Sequence, residues 1–367
     1  MYLCLQVTRE GQASYAHVHE IIEGLRKKDW DVQLSEPEYG TRNPGAFRRL
    51  AAFCVVQIRM AIHVLKAKPD VIYIRNHFAS FPTALMARLI GIPVIQEVNG
   101  PYEDLFIAWP RTRTFAPIFR WLTRTQLSWA DAVVAVTSQL TEWVRSEAGN
   151  ENVVVIPNGA NSDLFCPQAD LHYELPKPYV VFFGALAEWQ GIDVLIQALD
   201  SSQWPTAVSL VIMGDGVERS IVEQACSNNS RIVYLGVVPY DDVPGIVAHS
   251  LAAVAPMNNL GGRSSTGLMP LKVFESMACG VPVIVTDFPG QADIVRQYQC
   301  GIVVPPSDPD CLALAVSALY ADPLLRQDMG LRGRTAVESE HSWDHRAAQT
   351  DELLHRVVAT RGRVKQQ

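Results

Sequence analysis

Apolar positions along this chain gather into short unbroken runs. VIYI (71–74), PVIQEV (93–98), AVVAV (132–136) and VVVIP (153–157) are rich in β-branched residues. A run apolar at every position reads as a strand buried on both faces, the signature of a parallel sheet covered by helices. Helical periodicity fills the gaps at 81–90 and 115–128. The pattern then restarts with PYVVFFGAL (178–186), VSLVIMGDG (208–216), RIVYLG (231–236), LAAVAP (251–256), PVIVTD (282–287) and GIVVPP (301–306). Helical stretches interpose at 191–200, 217–226, 240–249 and 271–279. The expected fold class is α/β, with two Rossmann-like, doubly wound domains at 1–160 and 178–341. Residues 161–177 are rich in turn formers and are expected to link them. Residues 342–367 are expected to form a helix that packs back on the first domain. Ligands of open parallel sheets bind outside the strands' carboxyl ends, so two such domains predict a cleft between them.

Length and composition narrow the classes. A chain of 367 residues suits two domains. With 48% apolar and 19% charged residues, it does not have the composition of a disordered protein. No stretch of about 20 uncharged apolar residues is visible, so no membrane span is expected. MYLCLQVTRE lacks a basic leader region, so no secretory signal is expected. Seven scattered cysteines form no CxxC pair, which argues against zinc or redox chemistry and suits a reducing cytoplasm. The Asp29–Asp31 and Asp308–Asp310 triplets sit where turns and helix caps are expected, so no metal site is expected.

Charge changes this picture in one respect. The chain carries a net charge of −7, yet residues 41–130 hold 12 basic and 4 acidic side chains, a net +8. Within them, WPRTRTFAPIFRWLTRTQLSW (109–129) mixes aromatic rings with Arg111, Arg113, Arg120 and Arg124. Such a segment fits an anionic membrane interface. No nucleic-acid motif accompanies it, so a nucleic-acid partner is not expected.

The chemistry concentrates in GLMPLKVFESMACGVPVIVTD (267–287). A glycine-containing loop leads into a helix, whose free N–H groups and positive dipole end suit phosphate. Glu275 lies on the same side as Lys272. This stretch resembles the nucleotide-sugar site of the family 4 glycosyltransferases, which have the GT-B fold, and fits best the subgroup with P-x-K-x-x-E: Pro270, Lys272 and Glu275. The resemblance extends in order through IPNGANSDLF (156–165), VIMGDGVERSIVEQ (211–224), YLGVVPYDDVPGIVAHS (234–250) and FPGQADIVRQYQCGIVVPPSDP (288–309).

The resemblance implies a retaining transferase. It would move a hexose from a UDP- or GDP-linked sugar to an acceptor hydroxyl, without a further cofactor. Similar sequences serve bacterial surface polysaccharide synthesis, with lipid-linked acceptors at the inner face of the cell membrane. Glu275 would hold the ribose hydroxyls. The donor set would comprise Gly11, Gly184, Gly214, Val238, Arg263, Gly267, Leu268, Met269, Lys272 and Glu275.

Two departures stand out. Gly267 occupies the place of the family's first Glu, and FGALAEWQG (183–191) puts Ala185 and Gln190 where the family has a phosphate-binding Arg and Lys. A departing diphosphate still needs its charge neutralised. Lys272 is therefore expected to take that role, helped by Arg263 and the backbone N–H groups of Gly267 and Leu268. In the first domain, PVIQEVNGP (93–101) carries Glu97 and Asn99, with Asn99 where many members have a sugar-contacting His. Glu97 reads as a general base, or as structural support paired with Arg75 or His77. His77 is a candidate sugar or acceptor contact. The departures keep two rivals open: a GT-B sugar-nucleotide epimerase, and a non-catalytic binding protein.

Overall fold

The computed structural model describes residues 1–9, 12–39, 45–259 and 263–364. The chain divides into two compact units. One holds Met1–Arg9, Ser14–Pro157 and the stretch from Arg346, and the other holds Asn158–His345.

Among the described residues the first unit has one parallel six-stranded sheet: β1 (Tyr2–Cys4), β2 (Leu34–Ser35), β3 (Ile72–Arg75), β4 (Val94–Val98), β5 (Ala132–Ala135) and β6 (Val153–Val155). Their order is β2-β1-β3-β4-β5-β6. The second unit has β7 (Tyr179–Phe183), β8 (Ser209–Met213), β9 (Ile232–Gly236), β10 (Ala252–Ala255), β11 (Val283–Thr286) and β12 (Gly301–Val304), ordered β12-β11-β10-β7-β8-β9. Both orders reverse beside the first strand, between β1 and β3 and between β7 and β10. These are the switch points where a doubly wound sheet opens a crevice at its carboxyl edge.

β7 shows why the runs are unbroken. Tyr179, Val181 and Phe183 enter one buried cluster, whereas Val180 and Phe182 enter another. Successive side chains point to opposite faces and both faces are covered by helices, so no position is left for a polar residue.

Two stretches, residues 161–177 and 46–67, differ from the sequence expectation. Residues 161–177 belong to the second unit: Phe165 is fully buried, Leu171, Tyr173 and Leu175 pack on its core, and Arg334 donates to the carbonyls of Ser162, Phe165 and Ala278. The helix Trp343–Val364 carries the chain back to the first unit, where Trp30 donates to Asp351 and Arg361 to Asp131. A 22-residue helix not read from the sequence, Ala46–Ala67, follows α1 (Ala13–Arg26); it is α2, and α3 is Phe81–Ile90. The Asp308 side chain accepts from Cys311 N and caps the helix Pro309–Ala321.

Candidate active site

The crevice of the second unit is shaped by glycine. Gly184 and Gly214 follow β7 and β8 at φ +132° and +131°. A Cβ on Gly214 would stand 1.8 Å from the Gly184 carbonyl oxygen, and one on Gly184 would stand 3.2 Å from the Lys272 Nζ. The bare backbone leaves the space the lysine occupies.

Lys272 lies in the helix Leu271–Ala278 and is only 8% exposed. Its Nζ donates to Gln190 Oε1 at 2.7 Å and sits 3.9 Å from the centroid of the Phe182 ring. Burial pushes its pKa down to about 7, while the charge of Glu275 acts in the opposite direction. An ammonium held by one amide oxygen and a ring face is a strongly hydrated ion stripped of much of its solvation. Gln190, at the family's lysine position, is thus joined to the lysine that stands 82 residues on.

Glu275 is one turn further along the same helix, 7% exposed, and accepts from the Tyr240 hydroxyl at 3.2 Å. Tyr240 opens the short turn after β9 and was not singled out by the sequence.

The remaining donor-site candidates divide. The Leu268 N–H is committed to the Pro289 carbonyl at 2.8 Å, so it is unavailable to a phosphate, contrary to expectation. Gly267 adopts φ +90°, and the Met269 carbonyl accepts from Asn158. Val238 turns its side chain into the core, so only its backbone is left to meet a base. Arg263 opens the short helix Arg263–Thr266, and its side chain lies outside the described residues, as does Gly11.

Glu97 is the centre of a different arrangement. In register, Arg75 stands beside Glu97 and Tyr73 beside Tyr2, so period two brings Tyr73, Arg75 and Glu97 to one face. Tyr73 and Tyr2 donate to Glu97 Oε2 at 2.9 and 3.2 Å. Arg75 and Asn99 donate to Oε1 at 2.7 and 2.5 Å, and His17 Nε2 of α1 lies 2.9 Å from it. Burial alone would raise the Glu97 pKa. The charges of His17 and Arg75 and the hydrogen bonds from His17 and Asn99 outweigh it and hold the carboxylate ionised well below its usual range. With five donors around it and a depressed pKa, Glu97 is a poor proton acceptor. The general-base reading gives way to the structural one, with Arg75 as the charged partner and His17 beside it. His77 is engaged elsewhere: its Nδ1 accepts from Ala79 N, its ring meets Phe53 edge-on, and burial lowers its pKa to about 4. Asn99 remains at the carboxyl end of β4, oriented by Glu97.

Comparison with known proteins agrees with this architecture. "Glycosyltransferase Family 4" matches residues 16–164 and "Glycosyl transferases group 1" matches 177–322. A phosphatidyl-myo-inositol mannosyltransferase of Mycobacterium leprae is 28% identical over 95% of this chain and 93% of its own. A GDP-mannose-dependent alpha-(1-6)-phosphatidylinositol monomannoside mannosyltransferase of Mycolicibacterium smegmatis is 26% identical over 75% and 74%. A solved sucrose-phosphate synthase from Thermosynechococcus elongatus shares the fold with a TM-score of 0.80, at 18% identity and 98% coverage of both chains. With a glycosyltransferase domain matched on each Rossmann-like unit, the chain is a glycosyltransferase of the family 4-like, GT-B type.

Proposed function

We propose that the enzyme is a retaining hexosyltransferase. It takes the hexose from a UDP- or GDP-linked sugar and delivers it to a hydroxyl of a lipid-linked saccharide in bacterial polysaccharide synthesis, at the cytoplasmic face of the membrane. The nucleotide occupies the β7/β10 crevice. Glu275, oriented by Tyr240, accepts from the ribose diol. Lys272 moves from Gln190 to the diphosphate. As the bond from the anomeric carbon to phosphate breaks, charge grows on the departing oxygen, and a cation already stripped of water stabilises it without first shedding a hydration shell. The acceptor oxygen bonds the anomeric carbon on the face the diphosphate leaves. Its proton passes to the departing phosphate oxygen, since Glu97 is fully occupied. Two groups stand in for the family pair: Lys272 supplies the charge, and Gln190 holds it until the diphosphate arrives.

The observation that carries this reading is the buried Lys272 bonded to Gln190 beside Gly184. A thermal-shift panel of UDP, GDP, ADP and CDP tests it. A ligand bound only by the native state stabilises by about 2.7 kcal/mol at a hundredfold excess over Kd. UDP or GDP should raise the Tm, and less so in Glu275→Ala. No response to any member would refute it.

A further inference from the structure

α2 carries three faces. At about 100° per residue, Val56, Met60 and Val64 fall together and are buried against α3 and the sheet. Opposite them, Phe47, Leu50, Val55, Ile58, Ile62 and Leu65 cover an arc of about 140°. These six side chains are between 46% and 84% exposed. Arg48, Arg59 and Lys66 border this arc on one side. The helix has the length and apolarity of a membrane span, with a mean hydropathy of 1.6 over 18 residues. The face of Val56, Met60 and Val64 belongs to the protein core, so the helix is not free to cross a bilayer.

We propose that α2 lies in the plane of an anionic lipid bilayer, sinking its apolar arc among the acyl chains while Arg48, Arg59 and Lys66 meet lipid phosphates. The proposal deepens the membrane part of the reading above and is independent of sugar transfer. Charge selects the occupant. Arg48, Arg59 and Lys66 make the border of this face positive, Arg59 also lying 3.9 Å from the exposed Glu38, so two copies of it would repel, whereas an anionic surface attracts it. Arg49 stacks over Trp109 at 4.7 Å and Arg88 over Trp129 at 5.1 Å, and Trp121 is exposed. Basic and aromatic side chains thus extend beyond α2 to neighbouring segments of the same unit, the mixture that favours the headgroup layer. The arc explains why so apolar a helix is left open to solvent.

Cys54 lies within the arc and is the exposed member of the seven cysteines, so a polarity-sensitive thiol dye reports on it. Full-length protein labelled there is mixed with phosphatidylcholine vesicles, with and without 30% phosphatidylglycerol. The emission should shift to the blue with the anionic vesicles and return as salt rises. In co-sedimentation, the triple variant Phe47→Ser, Ile58→Ser, Leu65→Ser should lose at least about tenfold in vesicle affinity, since each substitution removes a large apolar side chain from the buried set. The three positions are exposed, and an unchanged Tm verifies the fold. Wild type that ignores anionic vesicles would overturn both this proposal and the membrane reading. Binding unchanged in the triple variant would overturn the role of α2 alone. Concentration-dependent dimers abolished by the triple variant, with vesicle binding retained, would assign the face to a second copy and overturn it as well.

Discussion

The two units each bury a charged group, and they treat it oppositely. Glu97 is met by two tyrosines, an arginine, an asparagine and a histidine, so its charge is compensated from every side. Lys272 has a neutral amide oxygen and a ring face, and its pKa falls to about 7. A saturated buried charge stiffens the structure that holds it. An undersatisfied one is a place prepared for an oppositely charged ligand, and it costs stability until that ligand arrives.

The comparison breaks most readily at Glu97. Glu97→Ala leaves the Arg75 guanidinium without its counter-charge and His17 without its partner, and should cost about 3–5 kcal/mol in urea unfolding. A loss below about 1 kcal/mol would show that the network is not structural. Glu275→Ala should cost about 1.5–3 kcal/mol of nucleotide binding, tenfold or more in Kd by calorimetry, with the fold intact. Unchanged binding of UDP and GDP would remove Glu275 from the ribose.

The two charges also act in different pH windows, although both titrate lower when folded and so both make stability rise with pH. Glu97 titrates lower folded than unfolded, so its contribution is present above the ordinary 4.5 and is lost as pH falls below it. Lys272 also titrates lower when folded, but it is a cation. Between about 7 and 10.5 the unfolded chain holds the proton that the folded chain has released, so stability rises with pH. Measured against Lys272→Met, the wild type should therefore gain stability across that range. A difference independent of pH would mean that the lysine is solvated. The smallest effect is a fractional proton. Diphosphate binding near pH 7.5 should take up part of one, seen as a dependence of calorimetric heat on buffer, and Lys272→Met should abolish it.

Much of this was legible in the sequence because it is local. Unbroken β-branched runs with helices between them give two parallel sheets, and P-x-K-x-x-E marks the helix of the second unit. What was not legible is non-local or unusual. The Lys272–Gln190 contact spans 82 residues, and Tyr2 to Glu97 spans 95. His17 and Tyr240 join their sites only through tertiary packing. The Leu268 N–H is taken by Pro289, a pairing no spacing rule foretells. β2 is two residues long, too short for a pattern. α2 escaped because its outward face is as apolar as its inward one, so it lacks the polar face that makes a surface helix recognisable.

The central claim is that the charge needed by the leaving diphosphate has moved from the loop after β7 to Lys272. Steady-state release of nucleoside diphosphate in the presence of acceptor tests it, using the donor identified by the binding panel. Lys272→Ala should lower turnover by about 10²–10³, with a much smaller change in donor affinity. Adding Gln190→Lys to that variant should restore part of the rate, since a cation returns to the same crevice from the neighbouring loop. Normal turnover in Lys272→Ala would contradict the account.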